Sequence, residues 1–198
     1  LFAAQAAELA GCEPIIISVK KKSLIYGAQY LHKPIPGFSN PKPNGKIKTF
    51  RLGTPERYAE RVYGDETRVT SWSRAPIAPT PAWDLREAYD RAWMKFEDRI
   101  VDAKIDSEMV DEFTSQFDVV ISTVPLWSIC SVPNTCHFQS VPILVKKMME
   151  YTGLPDYFDH QNGGVVYNGT EAGDWYRTSY IFGHESTEAI CSEDILDD

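Results

Sequence analysis

Between Tyr26 and His32 the segment YGAQYLH crowds an amide, a phenol and an imidazole together, at Gln29, Tyr30 and His32. Histidine moves a proton near neutral pH, and a tyrosine hydroxyl orients a polar substrate. The same residues also suit a packed loop, with Tyr30 in a core and His32 facing solvent. A second dense segment is WYRTSY, where Arg177 has the planar fork that clamps a carboxylate or phosphate. In a regular strand Trp175, Arg177 and Ser179 share one face and Tyr176 and Thr178 the other. Arg177 is therefore the substrate contact of choice, with Tyr176 left to packing unless the strand bends. Lys20, Lys21 and Lys22 form a cationic run that fits either a phosphate or a solvated loop. Ser122 and Thr123 close the run DVVIST, where small hydroxylated residues at a strand's carboxyl end allow close approach of a ligand. Thr123 also reads simply as a turn residue before Pro125.

Other chemistries lack their patterns. There is no GxSxG elbow for a serine nucleophile. Asp84 with Glu87 reads as a helix cap and Asp111 with Glu112 as a solvated face, so neither pair suggests glycoside hydrolysis. The four cysteines, at 12, 130, 136 and 191, have neither redox nor zinc spacing and read as reduced thiols. His137 follows Cys136, but the other histidines are scattered, so no metal site is expected. Asn168 opens an NGT glycosylation acceptor, which matters only in a secreted chain.

With 198 residues, 43% hydrophobic and 24% charged, the composition is that of a soluble globular chain. A net charge of -8 argues against nucleic acid or acidic lipid as partners, although the first fifty residues hold seven lysines against two glutamates. No run is long and apolar enough for a membrane span, and the opening residues lack a basic leader, so a cytoplasmic location is expected.

The elements that must position these groups follow from patterning. LFAAQAAELAG predicts a helix pressed on a sheet through Leu1, Ala4, Ala7, Leu9 and Ala10, with Gln5 and Glu8 outward and Gly11 ending it. IIIS predicts a buried parallel strand. Pro34, Pro36, Pro41 and Pro43 exclude a long helix before IKTFRL, a strand. TPERYAERVYG predicts a helix capped by Thr54, and Asp84 with Glu87 a capping box for a helix to Phe96. RIVDAKI predicts a strand, SEMVDEFTSQF a helix capped at Ser107, and DVVISTVPL a second strong strand. GGVVYNGT and DWYRTSYIFG predict antiparallel strands or a hairpin, and SEDILDD an exposed end.

Helix, glycine and apolar strand in that order resemble the later half of a dinucleotide-binding βαβ unit. LFAAQAAELAGCEPIIIS and FDVVISTVP, with NGGVVYN and DWYRTSYIFG more distantly, resemble two-dinucleotide-binding-domain flavoproteins of the amine oxidase and UDP-galactopyranose mutase group. Similar sequences include phage-encoded FAD/NAD(P)-binding oxidoreductases. The resemblance implies a Rossmann-like α/β domain with a mostly parallel sheet, residues 1–198 forming one incomplete dinucleotide-binding domain. Residues 33–83 would be an irregular insertion or substrate region. It implies a strand and glycine-rich turn ahead of Leu1, FAD as cofactor, and an oxidoreductase acting on a small polar substrate. In such proteins the segment after the second strand approaches the flavin, which makes His32 and Tyr30 catalytic candidates and Gln29 and Arg177 substrate contacts. Ser18, Lys20, Lys21, Ser122 and Thr123 would contact the cofactor. Ser18 stands where the family usually has an acid for the adenosine ribose, so Lys20 and Lys21 leave NADP as the alternative to FAD. A non-catalytic nucleotide-binding or interaction protein is the third reading.

Overall fold

The computed structural model describes residues 1–19, 21–22, 25, 30–65, 78–123, 163–189 and, for the backbone alone, 143–146 and 190. It is a mixed α/β fold with parallel and antiparallel pairing. Contacts divide the chain into two interleaved units, residues 1–23 with 89–140 and residues 24–88 with 141–198.

In the first unit, α1 (Phe2–Leu9) leads through Gly11, at φ +81°, into β1 (Ile16–Ser18). Helix α3 (Leu85–Phe96), inside which the unit boundary falls, passes through a short 3-10 turn into β4 (Ile100–Asp102), followed by α4 (Ser107–Gln116). β1 and β4 run parallel, Ile16 opposite Ile100 and Ser18 opposite Asp102. The expected parallel strand is present but half-buried rather than interior, and Ile15 just ahead of it is 60% exposed. Among the described residues β4 is its one paired neighbour.

Helix α1 meets its surroundings differently from the expected stripe. Gln5 is buried, accepting a hydrogen bond from Lys95 Nζ at 2.5 Å, while Leu9 is exposed. Glu8 accepts from both Lys95 and Arg99. Hydrogen bonding to Lys95 is the main reason its carboxyl titrates below the ordinary range; desolvation opposes it, and the Arg99 hydrogen bond and the two positive charges add to it. Helix α4 is capped by Asp106, whose carboxylate accepts from Met109 N at 3.0 Å, so Ser107 is its first residue and not its cap. The run from Asp118 to Thr123 is exposed and forms no strand. A β-branched run needs a partner ladder to become a strand, and none is present among the described residues.

The second unit is a six-stranded sheet in the order β3-β2-β6-β7-β8-β5. Its strands are β2 (Gly45–Gly53), β3 (Thr80–Ala82), β5 (Ile143–Lys146), β6 (Gly164–Gly169), β7 (Trp175–Ile181) and β8 (His184–Ile190). Among the described residues of this sheet only β2 and β6 pair in parallel; the other described ladders are antiparallel. The expectation of a mostly parallel sheet therefore fails, because β6, β7 and β8 follow one another through connections too short for a parallel crossover. The β7–β8 turn is Phe182-Gly183, both at positive φ, the twist that two-residue hairpins favour. The predicted insertion supplies β2, β3 and α2 (Pro55–Tyr63) to this sheet.

Helix α2 forms as its sequence dictates. Thr54 Oγ1 accepts from Arg57 N at 3.3 Å, Pro55 occupies the first turn, and Gly64 closes it in the left-handed region. It covers the sheet through Tyr58 and Ala59, and Tyr58 packs edge-on to Tyr167 and Tyr176 at centroid distances of 5.4 and 6.3 Å. Its approach is close enough that a Cβ on Gly169 would sit 2.0 Å from Thr54 O. On α3, Asp84 caps through Arg86 N at 2.8 Å, but the expected box with Glu87 is not closed. Asn44 takes the Asp84 N–H, and Glu87 instead accepts from Asn40 and Asn44.

Candidate functional site

The residues singled out for chemistry fall into two groups, one in each unit. Tyr30, His32 and Arg177 belong to the second unit, and Ser18, Lys21, Ser122 and Thr123 to the first. Lys20 and Gln29 lie outside the described residues.

In the second unit, Leu31 bridges to Trp83 and so fixes the strand-like segment that carries the two candidates. Tyr30 packs against the cluster of Ile47, Ala82, Val165 and Ile181. His32 is exposed, with its ring 4.8 Å from that of Tyr30. Burial raises the Tyr30 phenol above its ordinary pKa, Tyr167 adds to this and Arg177 opposes it. The phenol can donate a hydrogen bond, as a tyrosine hydroxyl does at neutral pH, while the neighbouring imidazole faces water.

Arg177 is held by Glu188. Its Nε donates to Glu188 Oε1 at 2.9 Å and its Nη2 donates to Oε2, which also accepts from Tyr176 Oη at 2.9 Å. A register irregularity between Trp175 and Arg177 bends β7, so Tyr176 and Arg177 reach one carboxylate despite being adjacent. Glu188 is 3% exposed. Burial disfavours the Arg177 charge, but the hydrogen bonds and charge of Glu188 outweigh it and hold the guanidinium above its ordinary value. Burial first, then the Glu188 charge and hydrogen bond, push the Tyr176 phenol upward. The fork's best recognition geometry is thus occupied from inside the protein.

Around this pair the β7–β8 ladder is polar and closed. Ser179 Oγ and Ser186 Oγ lie 2.8 Å apart, and Thr178 Oγ1 and Thr187 Oγ1 3.0 Å apart. Arg61 stitches α2 to the β6–β7 turn through the carbonyls of Trp175 and Thr170, both at 2.6 Å. Asn168 is fully buried, its amide donating to Ala172 O and Trp175 O, so the NGT acceptor is sealed in the folded chain.

In the first unit, Ser18 ends β1 beside Asp102 at the end of β4, and Ala103 N donates to Ser18 O at 3.3 Å. Lys21 pairs with Asp90 at 2.7 Å, and Lys22 N donates to Tyr89 Oη at 3.1 Å. Ser122 and Thr123 are exposed. Sequence reading missed Glu188 and Asp102. Glu188 carries no spacing signal, and Asp102 becomes significant only through the long-range β1–β4 pairing.

No group of three histidine, cysteine or acidic side chains capable of holding a metal occurs among the described residues, and no described helix is long and apolar enough to cross a membrane. Compared with known proteins, the chain matches no family model, no curated protein and no solved structure.

Proposed function

We propose that the chain is a dinucleotide-binding protein of flavoprotein type, an FAD-dependent oxidoreductase acting on a small polar substrate. The observation that carries this reading is the order α1, Gly11, β1, with β1 parallel to β4 and the carboxyl ends of both strands on one edge. Ligands of parallel α/β units collect outside such strand ends. The polar pair there suits a nucleotide sugar: a serine hydroxyl and an exposed carboxylate end adjacent strands in register, and both can accept hydrogen bonds from hydroxyls.

A bound flavin would supply the hydride or electron transfer. The chain's own part is to bind and to manage protons. Ser18 and Asp102 would hold the sugar of the adenosine end. Within the second unit, the Tyr30 phenol would donate a hydrogen bond to a polar substrate, with the exposed His32 ring beside it. Arg177 would act on a substrate through the orientation that Glu188 imposes.

Titration of the purified chain with FAD tests the reading, followed by quenching of flavin fluorescence and by the shift of the flavin absorption band. Saturable binding is the expected result. Saturable binding of NADPH without FAD binding would favour the reductase alternative, and binding of neither would leave only the non-catalytic one.

A further inference from the structure

We infer that Asn44 is a self-modification site: its carboxamide is lost to attack by the Gly45 backbone nitrogen whenever the first turn of α3 releases it. The sequence holds three Asn-Gly dipeptides, at 44–45, 162–163 and 168–169, and Asn162 lies outside the described residues. Glycine has no side chain to shield its nitrogen, so a close backbone approach is open to it. The Gly45 nitrogen adds to Asn44 Cγ, ammonia leaves, and a five-membered succinimide forms. Water then opens one of the two ring carbonyls, giving aspartate or isoaspartate. The net exchange is one water in and one ammonia out.

The fold retains this dipeptide and restrains it. A Cβ on Gly45 would lie 3.2 Å from the Phe182 ring, tighter than ordinary contact. Asn44 N donates to Ala82 O at 2.9 Å. Its Oδ1 accepts from Asp84 N and its Nδ2 donates to Glu87 Oε2, both at 3.0 Å. Ring closure brings Cγ onto the Gly45 nitrogen and so breaks the carboxamide's hold on α3. One of the two bonds broken has a charged acceptor, which makes it the stronger.

Asn168 is held in another way. It is fully buried, its amide donates to Ala172 O and Trp175 O, and its Oδ1 accepts from Thr170 N and Oγ1. Asn44 is exposed, and both partners of its carboxamide belong to the start of a helix, where ends fray. Opening there is local and needs no global unfolding. Conversion replaces the Nδ2 donor with a carboxylate oxygen facing Glu87, a like-charge contact. The isoaspartate product also adds a main-chain carbon at the head of β2, where Gly45 pairs with Ala82. Trp83, the next residue, bridges to Leu31, so the change reaches the segment that carries Tyr30 and His32.

The test is peptide mapping by mass spectrometry after the full chain has stood in mildly alkaline buffer, folded and in urea, as wild type and Glu87→Ala. Digestion locates the mass gain of amide-to-acid exchange, and chromatography separates the aspartate and isoaspartate peptides. In folded wild type Asn44 is expected to convert while Asn168 stays intact. In urea both should convert, Asn44 roughly tenfold faster than in the folded chain, the factor set by its hydrogen bonds to α3. Glu87→Ala should raise the folded rate at Asn44 severalfold, with Asn168 still intact and the urea rates unchanged. Asn168 thus reports in the same digest that the variant is folded, and the wild-type comparison stands even where it is not. The inference is overturned if Asn44 stays intact in the folded chain or converts there as fast as in urea. It is equally overturned if Asn168 converts first, or if folded Glu87→Ala is no faster than wild type.

Discussion

The two units treat charge in opposite ways. In the second, Glu188 is buried and its carboxylate is consumed by Arg177 and Tyr176, within a ladder of serine and threonine hydroxyls that satisfy one another. In the first, Asp102 is exposed at the end of a strand, beside a serine. A carboxylate paired inside the protein is tied to stability and to the shape of its strand, because removing its partner strands a buried charge. A carboxylate facing water at parallel strand ends contributes little to folding and is free for recognition. Arg177 reads as a substrate clamp in the sequence and is found paired with Glu188, whereas Asp102, which carries no sequence signal, is found exposed beside Ser18.

The largest expected effect lies where backbone meets backbone. Gly53→Ala would place a Cβ 2.1 Å from Gly169 O at a residue with φ +74°, so the paired ends of β2 and β6 must separate. A loss of about 3 kcal/mol or more is expected in urea denaturation. Glu188→Ala follows, at about 3 kcal/mol, since it leaves the Arg177 guanidinium partly buried without its carboxylate. Glu188→Gln should cost less, because it keeps the shape and one acceptor. If both Glu188 variants fold as stably as wild type, the contrast between the units fails on its structural side.

A smaller effect concerns pH. Burial, followed by the nearby Arg86 charge, lowers the His184 pKa from its ordinary 6.5, against the pull of Asp84. The unfolded chain then binds this proton more readily than the folded one. Stability from this group is therefore present above about pH 6.5 and declines as pH falls below it. Melting temperatures between pH 5 and pH 8 should show a shallower acid decline in His184→Gln than in wild type. Smallest of all, Asp90→Asn breaks an exposed pair and should change stability by less than about 1 kcal/mol.

Local chemistry was legible in the sequence, and long-range chemistry was not. Thr54, Pro55 and Gly64 announce α2 because caps act over a single turn. The strands at 164–169 and 175–181 are visible as β-branched and aromatic runs that include Val165, Val166, Trp175 and Tyr176. Tyr30 and Arg177 do fall within electrostatic reach of each other, although nothing in their spacing requires it. The bend in β7, which lets adjacent Tyr176 and Arg177 share one carboxylate, is a property of its pairing with β8 and has no local signature. Val119–Ile121 shows the converse: strong strand propensity yields no strand where the described residues provide no ladder. The Ser18–Asp102 pair depends on two strands far apart in the chain coming into register.

The most direct measurement of the central claim is calorimetric titration of the wild-type chain and Asp102→Asn with ADP-ribose. Saturable wild-type binding, weakened roughly tenfold by removal of one negative charge, is the predicted result. Equal affinities in the two proteins would deny Asp102 its role, and no heat of binding in either would remove the nucleotide from the parallel strand ends altogether.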